Sequence, residues 1–274
     1  MAVEEVYLRP EDYELETLAR DIGDLPFWTR LLQRERPTRV LEIGAGCGRL
    51  TLPLARLGAT HGFTITGLEM ELAMLRRAEE HARDEAAETR RALRLARGDA
   101  RDLSATLHTL GDTASGHPFD VILMPYGVAH HMITPGDQLR AWREARRWLR
   151  AGGLLAVDVA APDLRRLLAG LEATTPRQQD LDVSRDGRTL RRTLATRYHA
   201  ATQDEALSYE YHITDPGGAQ RDYRSTFTAH VYFPGELELL FQATGFDVER
   251  VIGSYRGEPY TAQSSLLLTL GRAI

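Results

Sequence analysis

The chain has 274 residues, with 34 arginines against 39 acidic side chains and a formal net charge of −5. That length suits one three-layer α/β unit with an insertion and a sizeable core, and the acidic balance supplies no global field for recruiting nucleic acid or an anionic membrane. A single cysteine, Cys47, excludes an internal disulfide; the apolar runs are short or interrupted, as by Asp158, and the start Met1-Ala2-Val3-Glu4-Glu5 is acidic, so a soluble, cytoplasmic protein is expected.

Residues 11–36 show helix-like spacing at Leu15, Leu18, Ile22, Phe27, Leu31 and Leu32, with Pro26 as a break, which predicts two short helices. Strands are predicted near 39–43, 63–68, 93–97, 120–124 and 153–159, with helical candidates at 48–57, 70–88 and 136–149 between them. Alternating strand and helix implies a parallel sheet with right-handed crossovers. After Pro162 the pattern changes to a short helix from Asp163 to Gly170 and antiparallel strands near 188–199, 206–214 and 221–233. Asp186-Gly187 and Asp215-Pro216-Gly217-Gly218 mark the turns of this inserted β-meander. A helix from Glu236 to Thr244 and strands at 247–252 and 264–270 then resume the core. The expected organisation is an N-terminal helical lid at 1–36, a core at 37–162, an inserted helix and meander at 163–233 serving as substrate lid or interface, and completion of the sheet by 234–274.

The stretch Val40-Leu41-Glu42-Ile43-Gly44-Ala45-Gly46-Cys47-Gly48-Arg49 is an apolar strand running into closely spaced glycines, followed by a helix-like Leu50-Thr51-Leu52. Bare backbone at a helix N-terminus admits a nucleotide-type cofactor. A dinucleotide fingerprint needs G-x-G-x-x-G, but the third glycine comes one residue early and Arg49 fills its slot, which disfavours a nicotinamide oxidoreductase. A P-loop is excluded because Gly-Lys-Ser/Thr is missing, and lysine is absent from the whole chain. The remaining E-x-G-x-G-x-G form resembles the first motif of class I S-adenosylmethionine (SAM) dependent methyltransferases. Four later stretches resemble that family in order: Glu69 after Ile65-Thr66-Gly67-Leu68, then Leu95-Ala96-Arg97-Gly98-Asp99-Ala100, the strand Phe119 to Tyr126, and the turn Leu149-Arg150-Ala151-Gly152-Gly153-Leu154-Leu155.

This resemblance implies a Rossmann-like sheet of seven strands whose last strand is antiparallel. It also implies SAM as cofactor and S-adenosylhomocysteine as product. By the same resemblance Glu69 binds the ribose hydroxyls, Asp99 takes the adenine amino group and the Ala100 N–H meets the ring. The implied cofactor set is completed by Tyr13, Glu42, Gly44, Ala45, Gly46, Gly48, Arg49, Met70, Met124 and Pro125. Cys47 is read as a small apolar filler of the loop.

Missing residue types narrow the chemistry further. Without lysine there is no Schiff base, so pyridoxal chemistry is excluded. Without asparagine, the Asp-Asp-Asn metal set of catechol-type enzymes and the asparagine form of the N-P-P-Y/F signature are missing, so no metal is expected. The function expected is metal-independent methyl transfer, by in-line displacement, to an O or N atom of a small molecule. The alternatives are a SAM-binding protein with a sensing or non-methyl role, or an RNA or protein methyltransferase. Catalytic candidates are His130, His131 and Tyr126, just past the fourth strand; histidine has the accessible pKa, and Tyr126 can line a methyl-transfer channel. The predicted acceptor contacts are Trp28, Tyr126, His130, Tyr211, Arg224 and His230. On the last meander strand the even positions from Asp222 to Tyr232 share one face, read as solvated or as a polar pocket roof, while Tyr223, Phe227, Val231 and Phe233 face a core. Arginines 143, 146, 147 and 150, and 188, 191, 192 and 197, invite a nucleic-acid reading, which the net charge disfavours. A small-molecule acceptor is the expected partner, and a homodimer through the meander is a further option.

Overall fold

In a computed structural model, residues 5–20, 22–113 and 119–274 are described, and they form two compact units. The acidic start at residues 1–4 lies outside them. In chain order the elements are α1 (Pro10–Leu18), α2 (Leu25–Glu35), β1 (Arg39–Ile43), α3 (Thr51–His61), β2 (Thr64–Glu69), α4 (Leu72–Arg83), α5 (Ala87–Ala92) and β3 (Leu93–Arg97). Then come α6 (Leu103–Thr109), β4 (Phe119–Met124), α7 (Pro135–Trp148), β5 (Leu149–Ala160) and α8 (Leu164–Ala169). The last elements are β6 (Gln178–Arg185), β7 (Arg188–His199), β8 (Asp204–Thr214), β9 (Gln220–His230), α9 (Pro234–Ala243), β10 (Phe246–Ile252) and β11 (Leu266–Ala273).

The sheet unit comprises Gly23–Ala161 and Tyr232–Ile274. Its seven strands run in the order β10-β11-β5-β4-β1-β2-β3, and β11 is antiparallel to both neighbours. The strand order reverses beside β1, where β1 pairs with β2 on one edge and β4 on the other, and ligands of open α/β sheets bind at such a reversal. β1 sits centrally because Val40, Leu41, Glu42 and Ile43 are all buried, as a parallel strand covered on both faces requires. Alternate residues of β4 feed two cores. Ile122 and Met124 pack with Trp142 and Trp148 of α7 and Phe241 of α9, while Val121 and Leu123 pack with Phe27, Trp28, Leu31 and Leu32 of α2 and Leu54 of α3. Three layers result. Helix α2, expected within an N-terminal lid, thus belongs to the sheet unit. The helix predicted over 70–88 is broken into α4 and α5, and α6 is an addition to the predicted elements.

The other unit comprises residues 5–20, Ile22 and Pro162–Val231 among those described. Its sheet is antiparallel in the order β6-β7-β8-β9, so the meander has four strands rather than the three predicted. Val6 and Leu15 pack on Leu190, Tyr211 and Ile213. Ion pairs hold α1 on the same sheet: Asp12 meets Arg188 at 2.7 Å and Arg221 at 2.5 Å, and Glu16 meets Arg192.

Candidate cofactor site

Past Ile43 the backbone turns through Gly44 (φ 79°), Gly46 (φ 56°) and Gly48 (φ 85°), in the left-handed region that glycine enters without steric cost. Gly44 is also required by space, since a Cβ there would lie 2.2 Å from Val128 Cγ2. The N–H groups of Gly44 and Ala45 donate to the Leu68 carbonyl at 2.8 and 2.9 Å, tying the loop to the end of β2. Next along β2, Glu69 accepts the Gly46 N–H on one oxygen and the Glu71 N–H on the other, each at 2.8 Å. Burial pushes the Glu69 carboxyl above its ordinary range, against the pull of these backbone donors. At the end of β3, Asp99 is held by Arg101: the backbone N–H donates at 2.9 Å, Nε at 2.9 Å and Nη2 at 2.6 Å. Burial opposes ionisation of Asp99, but the Arg101 contacts outweigh it and hold the carboxyl below its ordinary value. Met70 is exposed beside this pair, its sulfur 4.0 Å from Arg101 Nη2, and Ala100 is buried.

Behind the glycines, Glu42 accepts the Thr51 hydroxyl at 2.7 Å. Burial lifts its carboxyl to about 8, so it is neutral at pH 7. Arg49 forms a two-pronged pair with Asp24 at 2.8 and 2.7 Å, and its guanidinium lies 5.0 Å from the centre of the Tyr126 ring. Tyr126 (φ 57°) and Gly127 (φ 74°) make a left-handed turn after β4, and the Gly127 N–H donates to Asp158 Oδ1 at 3.2 Å. The other Asp158 oxygen accepts the Tyr255 hydroxyl at 2.5 Å. Burial raises Asp158 to about 6, the hydrogen bonds from Tyr255, Gly127 and the Tyr126 backbone pulling the other way. The Tyr255 ring lies 6.4 Å from that of Trp28, which is fully buried and whose Nε1 has no hydrogen-bond partner among the described residues. Met124 and Pro125 are buried at the end of β4.

Residues 40–153 match a family profile described as a methyltransferase domain. That stretch carries a methyltransferase domain. A sequence relative, the ubiquinone biosynthesis O-methyltransferase of a Caulobacter species, is 32% identical over 129 residues, 47% of this chain and 43% of its own length. The chain therefore spans under half of the curated relative it matches. Among solved structures, Streptomyces venezuelae DesVI superposes with a TM-score of 0.70 at 19% identity, covering 100% of both chains. The sugar N-methyltransferase KedS8 of a Streptoalloteichus species gives 0.66 at 20% identity, covering 100% of this chain and 94% of its own. At such identities the likeness concerns the fold. The cofactor of the methyltransferase domain is SAM, and the groups present suit it: the ribose diol and adenine amino group are donors, and the strand-end carboxylates of Glu69 and Asp99 are acceptors.

The histidines of this domain are more constrained than their sequence position suggests. His130 Nε2 accepts the Ala160 N–H at 3.0 Å, which places the ring proton on Nδ1 and occupies the lone pair a base at Nε2 would use. Burial holds His131 below its ordinary value, so its imidazole is neutral at pH 7. The carbonyl just before them, that of Ala129, accepts the Tyr232 hydroxyl at 3.1 Å. Cys47 is buried against Met74, as a filler would be. Asp24, Asp158 and Tyr255 were not among the predicted site residues. A buried acid interrupting the apolar run of β5 was the one signal available for Asp158.

Tyr13, Tyr211, Arg224 and His230 belong to the four-stranded unit, and the remaining predicted site residues belong to the sheet unit. Tyr13 meets Tyr7 edge-on at 6.0 Å. Tyr211 is buried, stacked on Tyr223 at 4.6 Å, and donates to Glu16 at 3.1 Å. Arg224 is exposed and paired with Glu210 at 2.6 Å. The even face of β9 is solvated from Gln220 to Thr228, but His230 departs from it, buried and 3.1 Å from Asp204. The arginine clusters are largely neutralised by acids: Arg188 and Arg192 bind Asp12, Asp180, Asp215 and Glu16, and Arg150 binds Asp120 at 2.6 Å. Among the described residues, no helix is long and apolar enough to cross a membrane.

Proposed function

We propose that this chain moves a methyl group from SAM to an N or O atom of a small molecule by in-line displacement. The observation that carries the reading is the position of Glu69, an acceptor-only carboxylate fixed by two backbone donors directly beside the glycine turn. The relatives support a small acceptor, since one is an O-methyltransferase of ubiquinone biosynthesis and KedS8 is a sugar N-methyltransferase. In this reading Glu69 holds the ribose, Asp99 and Ala100 the adenine, and the turn Gly44-Ala45-Gly46 gives the backbone its close approach. Arg49, already fixed by Asp24, is positioned for the cofactor carboxylate.

When bound, SAM supplies a methyl group already activated on a cationic sulfur. The chain's own part is placement and exclusion of water, in which orientation supplies much of the effect. Tyr126 is held in its left-handed turn by the Gly127 contact to Asp158 and offers its ring and hydroxyl to the reacting centre. An amine acceptor that arrives neutral needs no base. For a protonated acceptor, neutral His131 is the better-suited of the two histidines, because the Nε2 lone pair of His130 is engaged.

The test is incubation of the purified chain with SAM and a panel of small amines and hydroxyl compounds, reading S-adenosylhomocysteine and a product heavier by one CH2. SAM binding without turnover on any member, amino sugars included, would favour the sensing or structural role instead.

A further inference from the structure

We propose that Asp158, a buried carboxylate with no ion-pair partner among the described residues, is a specificity-determining residue that makes the site favour the sulfonium of SAM over the thioether of S-adenosylhomocysteine. The inference rests on the reading above that Glu69 holds the ribose. The strand registers carry the geometry: Ile43 pairs with Leu68, Glu42 with Leu123, and Met124 with Val157. Continued past those pairs, Glu69, Gly44, Pro125 and Asp158 stand in one row across the ends of β2, β1, β4 and β5. Asp158 is therefore two strand spacings, about 10 Å, from the glycine turn. With the adenine at the end of β3 and the ribose on Glu69, the sulfur, bonded to the ribose 5′ carbon, falls on the β1 side of that row.

Asp158 is 1% exposed, and its donors are neutral groups: the Gly127 N–H at 3.2 Å, the Tyr255 hydroxyl at 2.5 Å and the Tyr126 N–H. The charge that acts on it, Asp24, has the same sign. Arg49 is paired with that Asp24 at 2.8 and 2.7 Å. The charged and titratable groups around Asp158 are thus Asp24 before α2, Arg49 after the glycine turn, Tyr126 after β4 and Tyr255 between β10 and β11. His130 adds a further one at the Ala160 N–H, two residues along β5. Burial raises the Asp158 carboxyl only to about 6, so it is ionised at pH 7. Buried charges are ordinarily paired, and one left without a cation favours a ligand that brings one. SAM brings that charge on its sulfur and loses it with the methyl group. At about 10 Å and an effective dielectric constant of about 20, the attraction is worth on the order of tenfold in affinity. Asp158 thereby favours exchange of spent product for fresh SAM.

The test is calorimetric titration of the full chain with SAM and with S-adenosylhomocysteine, in the native protein, Asp158→Asn and Tyr255→Phe. Both ligands are titrated at pH 5 and pH 7, below the ordinary α-amino range of about 7.7–8.0. In the native protein the ratio of SAM affinity to S-adenosylhomocysteine affinity should fall about fivefold from pH 7 to pH 5. Over that range the ionised fraction of Asp158 drops from about nine-tenths to about one-tenth. Asp158→Asn keeps the shape without the charge, and its ratio at pH 7 should be about tenfold below the native one, with a smaller change at pH 5. Tyr255→Phe removes a donor that favours ionisation of Asp158, so its ratio at pH 7 should also lie below the native one. A native ratio retained in Asp158→Asn at pH 7 overturns the proposal. Equal weakening of both ligands overturns it as well, leaving Asp158 as an anchor of the Tyr126 turn and nothing more. Should Asp158→Asn fail to fold, a native ratio in Tyr255→Phe at both pH values is the overturning result. Failure of the native chain to bind either ligand would show instead that the ribose reading itself is wrong.

Discussion

Replacing Glu42 by glutamine should stabilise the protein at pH 8 and flatten its dependence on pH. Glu42 is 2% exposed on the central strand, and burial lifts its carboxyl from 4.5 to about 8, against the pull of Thr51 and Arg49. Between those two values the folded chain keeps a proton that the unfolded chain has lost. Unfolding therefore releases a proton, and stability falls as pH rises through the window, by 1.36 kcal/mol per pH unit. Across the window this amounts to on the order of 4 kcal/mol, a large part of the ~5–15 kcal/mol that stabilises a typical domain. Glutamine preserves the shape and the acceptor for the Thr51 hydroxyl, now 2.7 Å away, and never ionises. Urea unfolding at pH 5 and pH 8 separates the two proteins. They should agree within about 1 kcal/mol at pH 5, and E42Q should be more stable by roughly 3 kcal/mol or more at pH 8. Parallel pH curves for the two would refute the buried, neutral acid.

Glu69→Ala should weaken SAM binding by about 1–3 kcal/mol, read by calorimetry, because it strips a charged acceptor from beside the glycine turn; unchanged affinity would mean that the end of β2 does not face the ribose. Tyr255→Phe should cost about 1–3 kcal/mol of stability at pH 8, where Asp158 is ionised and loses its 2.5 Å donor. Asp158 is protonated below about pH 6, so the cost should shrink in denaturation at pH 5; an equal cost at both pH values would rule out the ionised pair.

The sheet and the nucleoside end of the site were legible because their signals are local. Glycines at Gly44, Gly46 and Gly48 and acids at Glu69 and Asp99 stand at strand ends, so a linear spacing fixes their neighbourhood. Strand β6 was missed because Gln178–Arg185 is mostly polar and exposed, and its two apolar residues, Leu181 and Val183, make an alternation too short to announce it. The break between α4 and α5 carries neither glycine nor proline. It is held instead by contacts of Arg90 with the Arg83 and Glu85 carbonyls and by Arg56 with Glu85. Asp24, Asp158 and Tyr255 gain their roles from partners far away in sequence, Arg49 and one another, which no spacing rule reaches. His230 shares a polar face by period, yet a buried contact with Asp204 decides its environment. The charged clusters at 188–192 read as a basic surface in one dimension, and their acids from α1 and β6 become visible only in the fold.

The most direct test of the central claim is calorimetric titration of the cofactor-free protein with SAM and S-adenosylhomocysteine, using NAD as control. Micromolar binding of both adenosyl ligands, with none of NAD, is the expected result; binding of NAD without either adenosyl ligand would contradict the account at its glycine turn.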